Sequence, residues 1–437
     1  MSNTQPGISR VKWELGDLLA FIIPCLIFIE VRLVGRLFLP EMILLVLCPF
    51  LLRNRGRILW TGPPKTLIVL GLLWLSAQII TDGIRATPFA DFSRGWSNIG
   101  IFLLEFSVIY LLVTKSERRV FLFAIGICIG QFLQYFIAPN IFAAGGETWK
   151  FGIGYAVTFL LILSTQLRWV RRVNNLGEAI LLAAAVLNVV MESRSIGGIC
   201  FIAALYLFVQ RRTKPSQTVP PKVSPIKLVL AASILLVSGV VVLKFYGFVA
   251  SSGMLGESSQ QKYESQASGD FGLLIGGRQE LLVSSLAIMD SPVIGHGSWA
   301  KDPKYIAMLP EMLSKYGYET PPISYDEELS DLIPTHSFLF GAWVNSGLLG
   351  AVFWFWVIVF CGKILLVLYK SREPLTPVIV FVGINLIWNV LFSPFGAETR
   401  LYTAYYLVLI MFVHRRLLIR QATQLQNGHP RQPGLGS

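Results

Sequence analysis

The stretch PTHSFLFGAWVNSGLLG (334–350) marks where a polar segment returns to apolar chain, and that boundary decides the fold. Upstream of it, residues 247–335 carry twelve acidic and five basic side chains, with Asp326, Glu327, Glu328 and Asp331 close together. Outside this segment the chain is apolar in runs near the length of about 20 residues that crosses a bilayer. The runs fall at residues 15–31, 37–52, 66–81, 98–114, 120–138, 151–167, 178–191, 196–209, 228–246, 338–369, 378–391 and 402–418. With 54% hydrophobic and 14% charged residues and a mean hydropathy of +0.61, the composition excludes an ordinary soluble domain. The expectation is an all-α integral membrane protein with about twelve transmembrane helices and one large, partly helical external loop.

The net charge of +12 is distributed in alternate loops, which speaks against nucleic acid as a partner and for a membrane orientation. One set of loops holds Arg10, Lys12, Arg53, Arg55, Arg57, Lys65, Lys115, Arg118, Arg119, Arg168, Arg171 and Arg172. The same set continues with Arg211, Arg212, Lys214, Lys222, Lys227, Lys370, Arg372, Arg415, Arg416 and Arg420. The other set has isolated cations such as Arg85, Arg94, Lys150, Arg194 and Arg400. By the positive-inside rule both termini are expected in the cytoplasm and the segment 247–335 on the far side.

The expected organisation is helices over 1–246 with a Pro-rich basic linker at 211–227, a loop or cap at 247–335, helices over 336–420, and a disordered tail at 421–437. The first run lacks a small-residue cleavage site and is expected to stay as an anchor. Within the loop, residues 279–289 and 304–316 repeat apolar side chains at three- and four-residue spacing, so short amphipathic helices are expected there. All five cysteines lie in or beside apolar runs, and no disulfide framework is expected in the loop.

An enzyme on the external side has no nucleotide donors and must draw its leaving group from a membrane-borne substrate. A lipid diphosphate fits, and the negative charge released on phosphate needs a metal or fixed cations. The external segments have no HxxxH, CxxC or DxD pattern, and His296, His336, His414 and His429 are scattered. Arginine is the alternative, because its planar donors grip two phosphate oxygens at once. Arg194 in MESRSIGG, Arg278 in IGGRQELL and Arg94 are the candidates, against the plain reading of headgroup-facing arginines.

His336 follows Pro334 and Thr335. Thr335 is expected to cap a helix whose dipole keeps the imidazole neutral, as a general base for a sugar hydroxyl requires. The plain alternative is an interfacial histidine that only hydrogen-bonds. The glycines of GHGSW around His296 are expected to form a tight turn. Glu105, inside a run, is either an intramembrane polar site or a structural hydrogen-bonding group. Glu30, Arg32 and Arg36 are expected to pair with one another, and Arg400 with Glu398.

The order SRSIG (193–197), then GR (277–278) followed by SPVIGHG (291–297), then HS at His336 with GLLG (347–350), resembles the O-antigen ligase and polysaccharide polymerase superfamily of integral membrane glycosyltransferases. Ser337 stands where many members have Asn. The resemblance implies a metal-independent enzyme without a cofactor, in the bacterial inner membrane, with its large loop periplasmic. It implies transfer of an undecaprenyl-diphosphate-linked oligosaccharide to an acceptor hydroxyl. Arg194 and Arg278 then hold the diphosphate, and His336 activates or positions the acceptor. The acceptor is a second lipid-linked repeat in a polymerase or the lipid A core in an O-antigen ligase, and a chain-length regulator and a flippase are further partners. The acidic loop disfavours a phosphorylated core and leans the reading to polymerisation of exopolysaccharide or O-antigen repeats. A lipid-linked sugar flippase or transporter is the alternative of a different class.

Overall fold

A computed structural model of the chain describes residues 13–33, 35–213, 247–253, 256–270, 278–318, 332–371 and 373–428, with isolated positions between 226 and 276. Most of the linker at 214–225, most of the run at 228–246, the acidic cluster at 326–331 and the end at 429–437 lie outside the described residues.

Helix α1 (Leu15–Cys25) runs through a short 3-10 turn into an antiparallel hairpin of β1 (Glu30–Leu33) and β2 (Gly35–Phe38), in the register Glu30 to Phe38. The hairpin departs from the expected first run, which stops being helical at Phe28. Then follow α2 (Leu39–Arg55), α3 (Gly62–Arg85), α4 (Phe89–Val113) and α5 (Glu117–Ile137). After these come α6 (Gly154–Ser164), α7 (Leu176–Val190) and α8 (Arg194–Arg212). Prolines in the first turn start α2 and α3, where a missing N–H costs nothing. Ser116 caps α5 by accepting from the Arg119 amide.

The segment 247–335 contains α9 (Glu257–Ala267), α10 (Glu280–Asp290) and α11 (Pro303–Lys315), so both expected amphipathic helices form. The remaining helices are α12 (Phe338–Ser346), α13 (Leu348–Lys370), α14 (Thr376–Phe392) and α15 (Ala397–Gly428). The single run expected at 338–369 is two helices, because Gly347 takes φ +67 and breaks the backbone between them. Helix α15 continues through residues 421–428, a stretch expected to be irregular.

Among the described residues, six helices are long and apolar enough to cross a membrane: α3, α4, α5, α8, α13 and the Ala397–Arg420 part of α15. Shorter apolar helices lie at Leu15–Phe28, Trp149–Ser164, Leu176–Val190 and Thr376–Phe392. The chain is therefore a predominantly helical protein with the makings of a multi-pass membrane protein. Its core is aromatic where α3, α4 and α13 meet: Trp74 packs tilted on Phe353 at 5.1 Å and edge-on against Trp354 at 5.7 Å, and Phe102 meets Phe395 edge-on at 5.4 Å. Apolar side chains such as Leu45, Val46, Phe50, Ile80 and Phe355 are exposed on the outside of the helices, as a lipid-facing surface requires. A second, smaller core of Val283, Ala287, Ile288, Ala300, Tyr305, Ile333 and Val344 ties α10 and α11 to α12, which seats the polar segment on the helices.

Candidate functional site

Two glycine-rich stretches meet before any chemical group is placed. Ser291 to Gly297 crosses the α12–α13 junction through backbone hydrogen bonds: the His296 amide donates to the Val344 carbonyl at 2.7 Å, the Gly297 amide to Asn345 at 3.0 Å, and the Leu348 amide to Val293 at 3.1 Å. A side chain on Gly347 would sit 2.0 Å from the Val293 carbonyl oxygen, and one on Gly295 would sit 2.6 Å from the Gly347 nitrogen. The turn expected at GHGSW is present, with Gly295, Gly297 and Trp299 at positive φ. His296 contributes to it by bonding the Ala287 carbonyl at 2.7 Å.

The end of α3 clamps this turn. Asp82, buried, accepts from the Ser298 amide at 2.6 Å, the Ser298 hydroxyl at 2.7 Å, the Trp96 indole at 2.7 Å and the Gln78 amide at 3.3 Å. One turn on, the Arg85 guanidinium donates to the Gly295 carbonyl and the Ser291 hydroxyl at 2.8 Å each. Neither residue stood out in the sequence. An acidic and a basic side chain one helical turn apart, facing a Gly-Ser turn about 200 residues away, have no local signature.

The last turn of α14 gathers the groups expected to do chemistry. Its carbonyls lack helical partners. Val390 accepts from the Ser337 hydroxyl at 2.8 Å, and Phe392 accepts from the Arg278 Nε–H at 3.0 Å. Ser337 also caps α12 through the Phe340 amide at 3.2 Å, so the cap is Ser337, and His336 lies just before the helix rather than inside its first turn. The Thr335 capping expectation is thereby corrected. Ser337 thus ties the two helix ends together, since its hydroxyl donates to one while accepting from the other.

His336 is half-buried, and its basicity is pulled below the ordinary histidine value. Burial is the first cause, Glu280 opposes it, and the positive charges of Arg278 and Lys150 add to it. The shift has the expected direction, but its causes are desolvation and neighbouring cations instead of the helix dipole. Burial also lowers the Arg278 guanidinium, with Glu280 opposing. Arginine stays charged at any physiological pH. Arg278, His336, Glu280 and Lys150 therefore share one electrostatic neighbourhood.

Arg194 opens α8 and donates to the Gln266 side chain in α9 at 3.0 Å. Gly276 packs so tightly on Gln266 that an added side chain would meet its carbonyl at 1.9 Å. Gln266 thus links Arg194 to the turn that presents Arg278. Arg94 lies over the Trp299 ring at 5.7 Å, and its side chain stands 3.6 Å from where a side chain on Gly35 of the hairpin would begin.

Glu105 is fully enclosed in α4, and neither of its oxygens has a hydrogen-bond partner among the described residues. Its charged neighbours are Glu41 and Arg400. It belongs to a second polar group centred on the buried Arg400–Glu41 pair at 2.7 Å, with Asn98 at 3.2 Å. Arg400 therefore pairs with Glu41 and not with Glu398. The partner of Glu398 is Arg36 at 2.8 Å, while Glu30 takes Arg32 and Arg36 as expected. Arg278, His336 and Arg194 are the expected residues that the fold links. Lys150 and Glu280 join them and were missed, Lys150 being one isolated cation among several and Glu280 one acid in an acidic loop.

The arrangement offers a neutral imidazole beside fixed cations, suited to accepting a proton while negative charge develops nearby. Among the described residues no His, Cys, Asp and Glu side chains cluster as a metal site. Comparison of the chain with protein-family models, with curated proteins and with solved structures finds no match.

Proposed function

We propose that the chain is a glycosyltransferase of the O-antigen ligase and polymerase type. In this reading it is a twelve-span protein of the bacterial inner membrane, with both termini cytoplasmic and the segment 247–335 periplasmic. The observation that carries the reading is the joint seating of Arg278 and the His336–Ser337 pair on the last turn of α14, with Lys150 within the electrostatic reach of His336.

In the reaction, neutral His336 takes the proton of the acceptor hydroxyl as that oxygen attacks the anomeric carbon. The bond from that carbon to the phosphate oxygen breaks, and the electron pair leaves with undecaprenyl diphosphate. Arg278, Arg194 and Lys150 stabilise the charge that gathers on the diphosphate. Guanidinium suits this task because it binds two oxygens without needing a metal. Polymerisation is favoured over transfer to lipid A core because twelve acids against five bases in the loop repel a phosphorylated acceptor.

Glycan and carrier-lipid analysis of a deletion strain tests both levels. The reading predicts loss of long chains and survival of single-repeat products. Long chains retained on the carrier assign the ligase instead, and an unchanged glycan profile contradicts the whole proposal.

A further inference from the structure

Helix α3 has a second end. Its 24 residues place Gly62 roughly 36 Å from Arg85, so whatever lies at Gly62 is a helix length away from the Gly295 turn that Arg85 clamps. There a cavity of about 500 Å³ is lined by Arg57, Thr61, Tyr110, His414 and Arg415, with Gly62 at its edge. No carboxylate is among its lining residues.

Three arginines on the same side of the helices, Arg119, Arg416 and Arg420, are neutralised by carboxylates, and the two that line the cavity are not. Arg119 is paired with Glu14 and Asp17, Arg416 with Glu117 and Glu373, and Arg420 with Glu373. Among the described residues, neither Arg57 nor Arg415 has a carboxylate partner. Arg55, which donates to the Leu111 carbonyl, adds a third cation within the field of Arg415. Cations gathered in a concave site repel one another and raise the local concentration of anions. The start of α3 contributes in the same sense, because Thr61 spends its hydroxyl on the Ile58 carbonyl and leaves the helix uncapped. Pro63 and Pro64 carry no N–H, so recognition falls on the guanidinium groups.

We propose that this cavity is a phosphate-binding site held by Arg57 and Arg415, independent of the transferase reading. A phospholipid headgroup and a soluble phosphate share that chemistry. Leu418 in the lining, and Trp60 and Ile419 next in sequence to lining residues, are exposed and offer acyl chains a surface to lie on, which favours the lipid.

The test uses the full chain in nanodiscs of phosphatidylcholine with graded phosphatidylglycerol, and native mass spectrometry counts the lipid retained on the protein. Wild type is expected to retain one phosphatidylglycerol about thirtyfold more tightly than the Arg57→Gln/Arg415→Gln variant, the effect of two surface cations. The variant Arg53→Gln/Arg172→Gln removes the same charge elsewhere and is expected to retain the lipid like wild type. If the first double variant does not insert, Arg57→Gln alone carries the comparison at about fivefold. Displacement of the lipid by millimolar inorganic phosphate assigns a soluble ligand to the same site, and resistance to it assigns the headgroup. Equal losses in both double variants, or no retention of either ligand by wild type, overturn the site.

Discussion

The motifs between residues 277 and 350 end in two different kinds of contact. Where SPVIGHG crosses GLLG, backbone meets backbone, glycines admit the approach, and Asp82 and Arg85 satisfy the polar groups around it. Where the Arg278 and His336–Ser337 segments approach α14, each gives one hydrogen bond to a helix-end carbonyl, and the His336 imidazole lies within the electrostatic reach of the Arg278 guanidinium. The first contact fixes geometry, and in the proposed reaction the second supplies the reacting groups. One short motif set then serves two purposes, and its residues should fail in different ways when changed.

The contrast is tested most severely at the second contact. His336→Ala and Arg278→Lys are each expected to lower product formation by about 10²- to 10⁴-fold, the usual worth of a general base, with insertion and thermal midpoint unchanged. Lysine keeps the charge and loses the planar fork, so a wild-type rate in Arg278→Lys would reduce that residue to a point charge.

At the first contact the order of effects reverses. Gly347→Ala combines a positive φ with a side chain 2.0 Å from the Val293 oxygen. It is expected to destabilise the protein by about 3 kcal/mol or more, seen as a lower melting midpoint in detergent, with activity lost in step. Asp82→Asn turns an acceptor of four hydrogen bonds into a group that must present its own N–H to other donors. About 1–3 kcal/mol of stability should be lost, and activity should fall only as far as folded protein does. A stable but inactive Asp82→Asn would move this residue into the chemical site.

The smallest effect is in the pH profile. Because burial and cations depress His336, the unfolded chain binds its proton first as pH falls below the ordinary value of 6.5. The stability contributed by the neutral ring is present above 6.5 and is lost as pH falls below it. The acid limb of log kcat/KM should likewise lie below 6.5. Lys150→Ala removes a cation that lowers His336 and should move the limb up, while Glu280→Gln removes the opposing anion and should move it down. Shifts of the same sign in both variants would contradict the shared neighbourhood.

The six long apolar helices were legible because apolar runs of membrane length have few other fates, and α10 and α11 because their apolar spacing is helical. The break at Gly347 was hidden inside an apolar run, where hydropathy is blind to φ. The hairpin at Glu30 to Phe38 was hidden because charged and apolar residues alternate over too few positions to separate a strand from a span end. Arg278, His336 and Arg194 could be named from residue type and side of the membrane. Their connection through Gln266 and the α14 carbonyls depends on pairs 53 to 114 residues apart. A still larger separation, 359 residues, hid the Arg400–Glu41 pair behind the adjacent Glu398.

In the proposed reaction a neutral imidazole and fixed cations, presented at one helix end, release a sugar from a lipid diphosphate without a divalent ion. Its most direct test supplies purified, reconstituted protein with an undecaprenyl-diphosphate-linked oligosaccharide in excess EDTA and measures released undecaprenyl diphosphate by mass spectrometry. The account predicts release by wild type and none by His336→Ala. Release that requires an added divalent cation, or that proceeds equally in both proteins, would contradict it.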